Sequence, residues 1–288
     1  MHLSDSKIKE LELKANDIRQ TIIKMLVEAG SGHTAGPLGM ADIFTALYFH
    51  ILKHNPKVPD WPERDRLVLS NGHIAPVLYS TMIHAGYLSQ GDILKLRKFG
   101  SKLQGHPHRE FLPALETSSG PLGSGLSQAV GMAIAARIDH GENIPFEIYS
   151  LLSDGELEEG NTWEAVMLAG KLRLHNLIAI IDRNNIQIEG FTEDVMPLEP
   201  LAEKWRAFNW HVLEVNGHNF AEINDAVSEA KAIFEKPTVI IAHTIPGKGV
   251  PEFERDYRWH GKPPKKEEAD MALKELRTLG GKIKSEHE

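Results

Sequence analysis

With 41% hydrophobic and 25% charged residues in 288, the chain has the make-up of a globular protein that can bury a sizeable core, in one large α/β domain or two small ones, the composition favouring one. A formal charge of -8 argues against a general nucleic-acid surface, and no apolar run approaches the roughly 20 residues of a bilayer span. The absence of cysteine rules out disulfides and thiolate chemistry, and the charged first segment lacks the apolar core of a signal peptide, so a cytoplasmic location is expected.

The opening thirty residues read as an amphipathic helix ending at Gly30, followed by a loop, SGHTAGPLG, and a resumed helical pattern, MADIFTALYFHIL. A Pro-rich connection, HNPKVPDWPERD, leads to a short strand, RLVLS, and to a loop-to-helix junction, NGHIAPVLYSTMIHAG. The segment KLQGHPHREFLPALETSSGPLGSG is too long for an idle connector in a compact domain. It precedes a helix, LSQAVGMAIAARIDHG. FEIYSLLSDG then reads as a buried strand breaking at a glycine turn, GNTWEAVMLAGKL as a helix and NLIAIIDRNN as the next strand. The strand WHVLEVNGHN, the helix AEINDAVSEAKAIFE and the strand PTVIIAHTIPGKG follow, and residues after about Lys262 form a C-terminal extension or helix that packs on the body or on a partner. This alternation predicts an α/β fold, a parallel sheet with helices on both faces. No repeat or low-complexity tract divides it, so residues 1–288 are expected to be a single domain.

In the central βαβ unit, Asp154-Gly155 and Asn184-Asn185 end successive parallel strands, so a right-handed crossover brings them to one sheet edge, where open α/β folds bind ligands. An Asp carboxylate, an Asn amide oxygen and a backbone carbonyl make a hard oxygen site suited to Mg²⁺ or Ca²⁺. Taken alone, Asp-Gly is an ordinary turn. The whole segment from Ser153 to Asn185, however, resembles the thiamine-diphosphate motif, and its interior is similar to that of transketolases. The resemblance implies the thiamine-diphosphate-binding (diphosphate-domain) fold, with Asp154, Asn184 and the carbonyl of Ile186 holding a divalent ion that grips the cofactor's diphosphate and Gly155 letting the backbone come close. Ser153 stands where the motif begins with glycine.

Of fifteen histidines, four sit beside glycine at predicted loops: His33 in SGHTAGP, His73 in LSNGHIAP, His106 in LQGHPHRE and His260 in YRWHGKPP. These contexts also resemble transketolase motifs, except that Thr34 stands where many relatives have proline. The likeness puts His73 and His260 near the diphosphate and thiazolium. It lines the substrate channel with His33, His106 and His260 as proton-passing groups, for which an imidazole pKa near 6.5 suits work in either protonation state near neutrality. Gly120, Pro121, Leu122 and Gly123 match the family loop that supports the aminopyrimidine. His108, His175, His211, His218 and His243 are read as structural, and Glu156 and Glu158 as a solvated helix start. Glu159, counted with the catalytic and cofactor-binding residues, and Glu164 match a carboxylate network linking two active sites across a dimer, a reading evenly balanced with a structural one. Lys248 is as readily a solvated lysine as a phosphate contact, because the family's lysine position aligns with Pro246.

Thiamine catalysis in this superfamily uses a carboxylate from a second, pyrimidine-binding domain, and neither that domain nor the C-terminal one is found in this chain. The resemblance is therefore to the N-terminal subunit of a split transketolase that moves a two-carbon ketol unit from a ketose phosphate to an aldose phosphate, with a separate C-terminal subunit in a heterotetramer of two copies each. A split transketolase for a branched-sugar or sulfosugar phosphate is the nearest alternative. Deoxyxylulose-phosphate synthase fits the interior motif less well. An alternative of another class is a non-catalytic cofactor-binding or stabilising partner subunit, which the retention of Asp154, Asn184 and four histidines disfavours, since a scaffold has no need of them.

Overall fold

The computed structural model describes residues 3–279. The first helix, α1 (Asp5–Ala29), starts where the Ser4 side chain accepts a hydrogen bond from the Lys7 N–H and stops at Gly30, whose φ of 63° is left-handed. Leu11, Ala15, Ile18, Ile22 and Leu26 recur along one buried stripe of this helix. The SGHTAGPLG segment, expected as loop throughout, instead carries a short helix, α2 (Ala35–Gly39). Pro37 lies in its first turn, where a missing N–H costs no intrahelical bond. Helix α3 (Ala41–Ala46) and a π turn at Leu47–Ile51 complete this region.

Strand β1 (Arg66–Leu69), helix α4 (Ala75–His84), helix α5 (Ser124–His140), strand β2 (Ile148–Ser153), helix α6 (Gly160–Leu172) and strand β3 (Leu177–Arg183) follow the expected order. A small antiparallel pair, β4 (Ile186–Gln187) with β5 (Gly190–Phe191), and helices α7 (Thr192–Val195) and α8 (Leu201–Ala207) fill a stretch that carried no sequence prediction. Strand β6 (His211–Asn216), helix α9 (Phe220–Ala230), strand β7 (Thr238–His243) and helix α10 (Lys266–Leu279) end the described chain. The main sheet is wholly parallel in the order β1-β2-β3-β7-β6.

Side chains alternate across a strand, and here each alternate set has its own core. Tyr149, Leu151, Ile178, Ile180, Ile240 and Ala242 meet α1, α3, α4, α9 and α10 on one face. Ile148, Leu152, Leu177, Ala179, Ile181, Val239 and Ile241 meet α5, α6 and α8 on the other. The terminal helix packs on the body: Ala269, Ala272 and Leu276 are buried, and the Asn16 side chain donates to the Leu276 carbonyl at 2.9 Å. Among the described residues no helix is long and apolar enough to cross a membrane.

The second core contains one very close approach. Trp210 Nε1 donates to the Val166 carbonyl at 2.9 Å, which presses the Phe208–Trp210 turn onto α6 at Gly170. A Cβ at Gly170 would fall 1.9 Å from the Phe208 carbonyl oxygen, a backbone atom that cannot swing aside. Gly170→Ala should therefore destabilise the chain by about 3 kcal/mol, the upper end of ordinary overpacking costs. A urea midpoint equal to that of the parent protein would show that the turn can yield.

Candidate active site

Four strands deliver the candidate residues to the same edge, the C-terminal end of the sheet. Strand β1 runs into Ser70, Asn71, Gly72 and His73, β2 into Asp154, β3 into Asn184, and β7 into Thr244. Gly72 is required by space, since a Cβ there would lie 2.7 Å from Ser119 Cβ and 3.3 Å from the Gly120 nitrogen. This contact carries the Gly120–Gly123 loop against the His73 segment, while Leu122 Cδ1 lies 4.0 Å from the Cβ position of Gly155.

Three histidines far apart in sequence form one cluster. Ring centroids are 4.9 Å apart for His33 and His73, 5.4 Å for His33 and His260, and 5.2 Å for His73 and His260. Thr34, the departure from the family's proline, closes the arrangement: its hydroxyl donates to the Lys262 carbonyl at 2.5 Å, which ties the His260 segment to the His33 segment. Proline has no such donor. His106 is the most exposed of the four rings and makes no ring contact with the other three, but its charge adds to the forces on His33 and His73. Burial lowers His33 to about 4, helped by the charges of His260, Arg97 and His106. Burial likewise lowers His73, His260 and His106, the last helped by Arg97. Burial and the neighbouring positive charges thus shift the expected balance near neutrality toward the neutral rings, in which each offers one N–H donor and one acceptor.

The Asp154 and Asn184 turns do meet. The Asn185 N–H donates to Asp154 Oδ2 at 2.6 Å, as the Ser153–Asp182 register of the two parallel strands requires. Buried Arg183, which sequence reasoning passed over as part of a strand, gives the same oxygen a hydrogen bond at 3.1 Å and also holds Glu193 and Glu199 at 2.8 and 2.9 Å. Oδ1 of Asp154 is buried and has no partner. Burial lifts Asp154 to about 7 against the pull of Arg183. Asn184 Oδ1 accepts from the Ile186 N–H at 3.0 Å and keeps a second lone pair, while its amide nitrogen donates to Asp182 Oδ2 at 2.8 Å. Thr244 donates to the other Asp182 oxygen at 2.5 Å. An unpartnered carboxylate oxygen beside an oriented amide oxygen fits a hard divalent cation completed by oxygens of a bound phosphate. Gly155 has only Leu122 within 4 Å of its Cβ position, so the backbone there is open to close approach.

One acidic assignment changes. Glu156, expected in solvent, is fully buried, and its carboxylate accepts from the Ser70 hydroxyl, the Gly123 N–H at 2.7 Å and the Ser153 N–H at 3.2 Å. Its place two residues after Asp154 in an acidic run hid this, because such a run at a helix start normally faces water. Glu159 and Glu164 stay exposed at the start of α6 and make no hydrogen bond with the histidine cluster, and Glu158 is exposed as expected. Sequence reasoning also missed Asn71, buried with both amide atoms unpartnered next to the histidine-bearing turn. Its place in LSNGHIAP was the available signal.

The histidines read as structural lie outside the cluster. His108 packs on Phe111, His175 on Phe234, and His211 and His243 pair with Glu229 and Glu214. His218 is buried: its Nδ1 bonds Asp42 at 2.7 Å and its Nε2 accepts the Ile245 N–H at 2.7 Å. Lys248 is half-buried in the neighbouring loop.

The family model of the transketolase thiamine diphosphate binding domain matches residues 11–281. The chain is 41% identical to the 6-deoxy-6-sulfo-D-fructose transketolase subunit of Clostridium sp., over 96% of this chain and 100% of that relative. It is 39% identical to an apulose-4-phosphate transketolase subunit of Phocaeicola vulgatus, over 98% of this chain and 99% of the relative. A crystal structure of Campylobacter jejuni transketolase matches with a TM-score of 0.87 at 40% identity, covering 94% of this chain and 42% of the other. The chain thus spans the length of relatives named as subunits and less than half of the solved transketolase. It belongs to the transketolase family, as a subunit carrying the thiamine diphosphate binding domain.

The depressed histidines make stability depend on pH. Between pH 6.5 and about 4 the unfolded chain takes up protons that folded His33 refuses, so stability falls as pH drops through this window. The limit is about 1.4 kcal/mol per pH unit for each group, less for rings partly open to water. Denaturant titrations should give lower stability at about pH 5 than at about pH 7, and His33→Asn should narrow the gap. An unchanged gap in the variant would mean that His33 does not contribute.

Proposed function

We propose that the chain, a single diphosphate-binding domain, is the N-terminal subunit of a split, cytoplasmic transketolase that moves a two-carbon ketol unit from a ketose phosphate to an aldose phosphate. The observation that carries this reading is the convergence of His33, His73 and His260 at ring separations of 4.9 to 5.4 Å on the sheet edge where Asp154 holds an unpartnered oxygen. Thiamine diphosphate, when bound, supplies the electron sink that makes a two-carbon carbanion tolerable. The chain's own groups bind and orient. Asp154 Oδ1, Asn184 Oδ1 and the Ile186 carbonyl would hold Mg²⁺ or Ca²⁺ against the diphosphate, with Gly155 giving room. His73, His260 and the loop from Gly120 to Leu122 would flank the cofactor. His33, His106 and His260 would hydrogen-bond sugar hydroxyls and move protons to and from the substrate oxygen that changes charge, working from the neutral state. Glu159 would act across the contact between subunits rather than on substrate.

The relatives' names suggest the substrate class, since one names a sulfosugar and the other a branched-sugar phosphate. Both sugars are anions. The exposed Arg97, whose charge acts on His33 and His106, gives the approach a cation suited to either group. For the partner, α5 and α6 present Ile138, Met167 and Leu168, 78%, 52% and 42% exposed, beside Glu159 and Glu164. Such a face supports docking of another chain, here a C-terminal subunit with the pyrimidine domain, in a heterotetramer of two copies each.

Two outcomes are expected. Asp154→Ala should abolish metal-dependent thiamine-diphosphate binding in calorimetry while the fold persists, because Arg183 keeps Glu193 and Glu199; unchanged affinity would sink the metal assignment. The chain alone should lack transketolase activity and gain it when mixed with a separate pyrimidine-domain subunit, tested on xylulose 5-phosphate, 6-deoxy-6-sulfofructose and apulose 4-phosphate as donors. Full activity of the isolated chain would end the split-enzyme reading.

A further inference from the structure

The fully buried Glu156 has a role that an acidic helix start does not require. Its Oε1 accepts from the Ser70 hydroxyl and the Gly123 N–H, and its Oε2 accepts from the Ser153 N–H. These donors come from three separate segments: the turn after β1, the loop before α5, and the end of β2. Ser70 Oγ in turn accepts the Gly125 N–H at 3.1 Å. Two backbone N–H groups at the start of α5 are thus satisfied by Glu156 and Ser70, and α5 has no side-chain cap of its own. The positive end of that helix helps offset the cost of a buried carboxylate.

The loop so gripped has little freedom. Gly123 sits at a φ of +78°, and a Cβ on it would fall 2.2 Å from Asn161 Oδ1 and 2.5 Å from Thr162 Oγ1. A Cβ on Gly125 would meet Ser70 at 2.5 Å. Thr162 Oγ1 donates to the Glu156 carbonyl at 2.5 Å, which fixes the glutamate's own backbone to α6. Leu122, the residue before Gly123, is the one that faces Gly155. Glu156 therefore sets the distance between the Gly120–Gly123 loop and the Asp154 turn.

We propose that Glu156 is a positioning residue for the cofactor: it holds the Gly120–Gly123 loop at the separation from the Asp154–Gly155 turn that lets one thiamine diphosphate touch both. This rests on the cofactor reading above. It assigns Glu156 no contact with substrate and no proton transfer. A carboxylate is needed because three donors converge on it. Glutamine can serve Ser70 and Gly123 through its oxygen, but turns an amide N–H toward the Ser153 N–H.

The test compares Glu156→Ala and Glu156→Gln with the parent chain, assembled with its pyrimidine-domain partner. Hydrogen exchange reads the amides of residues 120–126, and calorimetry reads two probes with Mg²⁺: thiamine diphosphate, which needs both sides of the site, and inorganic pyrophosphate, which needs only the Asp154 side. In Glu156→Ala, exchange at Gly123 and Gly125 should quicken at least about tenfold while the strands stay protected. Thiamine-diphosphate affinity should drop about tenfold or more with pyrophosphate affinity held within about twofold, and Glu156→Gln should fall between parent and Ala. Equal losses for both probes, or unchanged exchange in the loop, would overturn the role and leave Glu156 a general stabilising group. A parent protein that binds pyrophosphate but not thiamine diphosphate, or neither, would sink the cofactor reading and this role with it. Parent binding of both with an unaltered Glu156→Ala would sink this role alone.

Discussion

The site end of the sheet is organised around the buried carboxyl group of Asp154. Taking a carboxylate out of water costs several kcal/mol unless its oxygens are matched, and the strands around it are almost entirely aliphatic. One oxygen is matched by Arg183 and the Asn185 N–H, and the other is left without a partner. Arg183 can stay buried because Glu193 and Glu199 take its second nitrogen, which explains why the β4–β5 hairpin and α7 fold back over the end of β3. Asp182 repeats the pattern on the neighbouring side. Burial lifts it to about 6, and Thr244 and Asn184 answer it with hydrogen bonds. The bond to Asn184 turns its amide oxygen away from Asp182, and the bond to Thr244 ties β7 to β3. Satisfying buried carboxylates thus shapes both the candidate ion site and the seam between these strands.

A second buried network places the histidines. Burial pushes Asp42 up, but Arg19 and His218 outweigh it and hold the carboxyl well below its ordinary value. Through His218 the same carboxylate fixes the Ile245 N–H. The loop after β7 is then close enough to α2 that a Cβ on Gly39 would sit 3.0 Å from the Ile245 carbonyl, and the Gly247 N–H donates to the Ala35 carbonyl at 2.9 Å. With the Thr34 bond to Lys262 on its other side, α2 is wedged between two loops, and His33 just before it is held against His73 and His260. A histidine that sequence reasoning set aside as structural is therefore one of the supports of the cluster.

The two faces of the sheet do different work. One is closed by α1, α3, α4, α9 and α10, whose apolar side chains merge into a single core. On the other, α5 and α6 bury one side and keep Ile138, Met167 and Leu168 at the surface. The starts of these two helices are joined through Glu156, Asn161 and Thr162 to the Gly120–Gly123 loop. The candidate cofactor loop and these exposed apolar side chains are thus carried by the same pair of helices.

The parallel α/β fold was legible in the sequence because the near-continuous apolar runs in FEIYSLLS and LIAIID, broken by Asp-Gly and Asn-Asn and separated by a helical pattern, are a local signal that burial on two faces imposes. The same spacing brought Asp154 and Asn184 together, since a right-handed crossover leaves little choice of edge. Glycine-flanked loops picked out His33, His73 and His260 for an equally local reason, the room that loops need near a ligand. Tertiary structure decided what depends on neighbours distant along the chain. It made a helix of Ala35–Gly39, gave Asp154 its partner Arg183, shifted the histidines toward their neutral forms by burying them beside one another, and drew Glu156 inward to donors from three segments. None of these is written in a window of sequence, because burial and charge act through space: the same glutamate is a solvated helix start or a buried strut according to which backbone N–H groups fold over it.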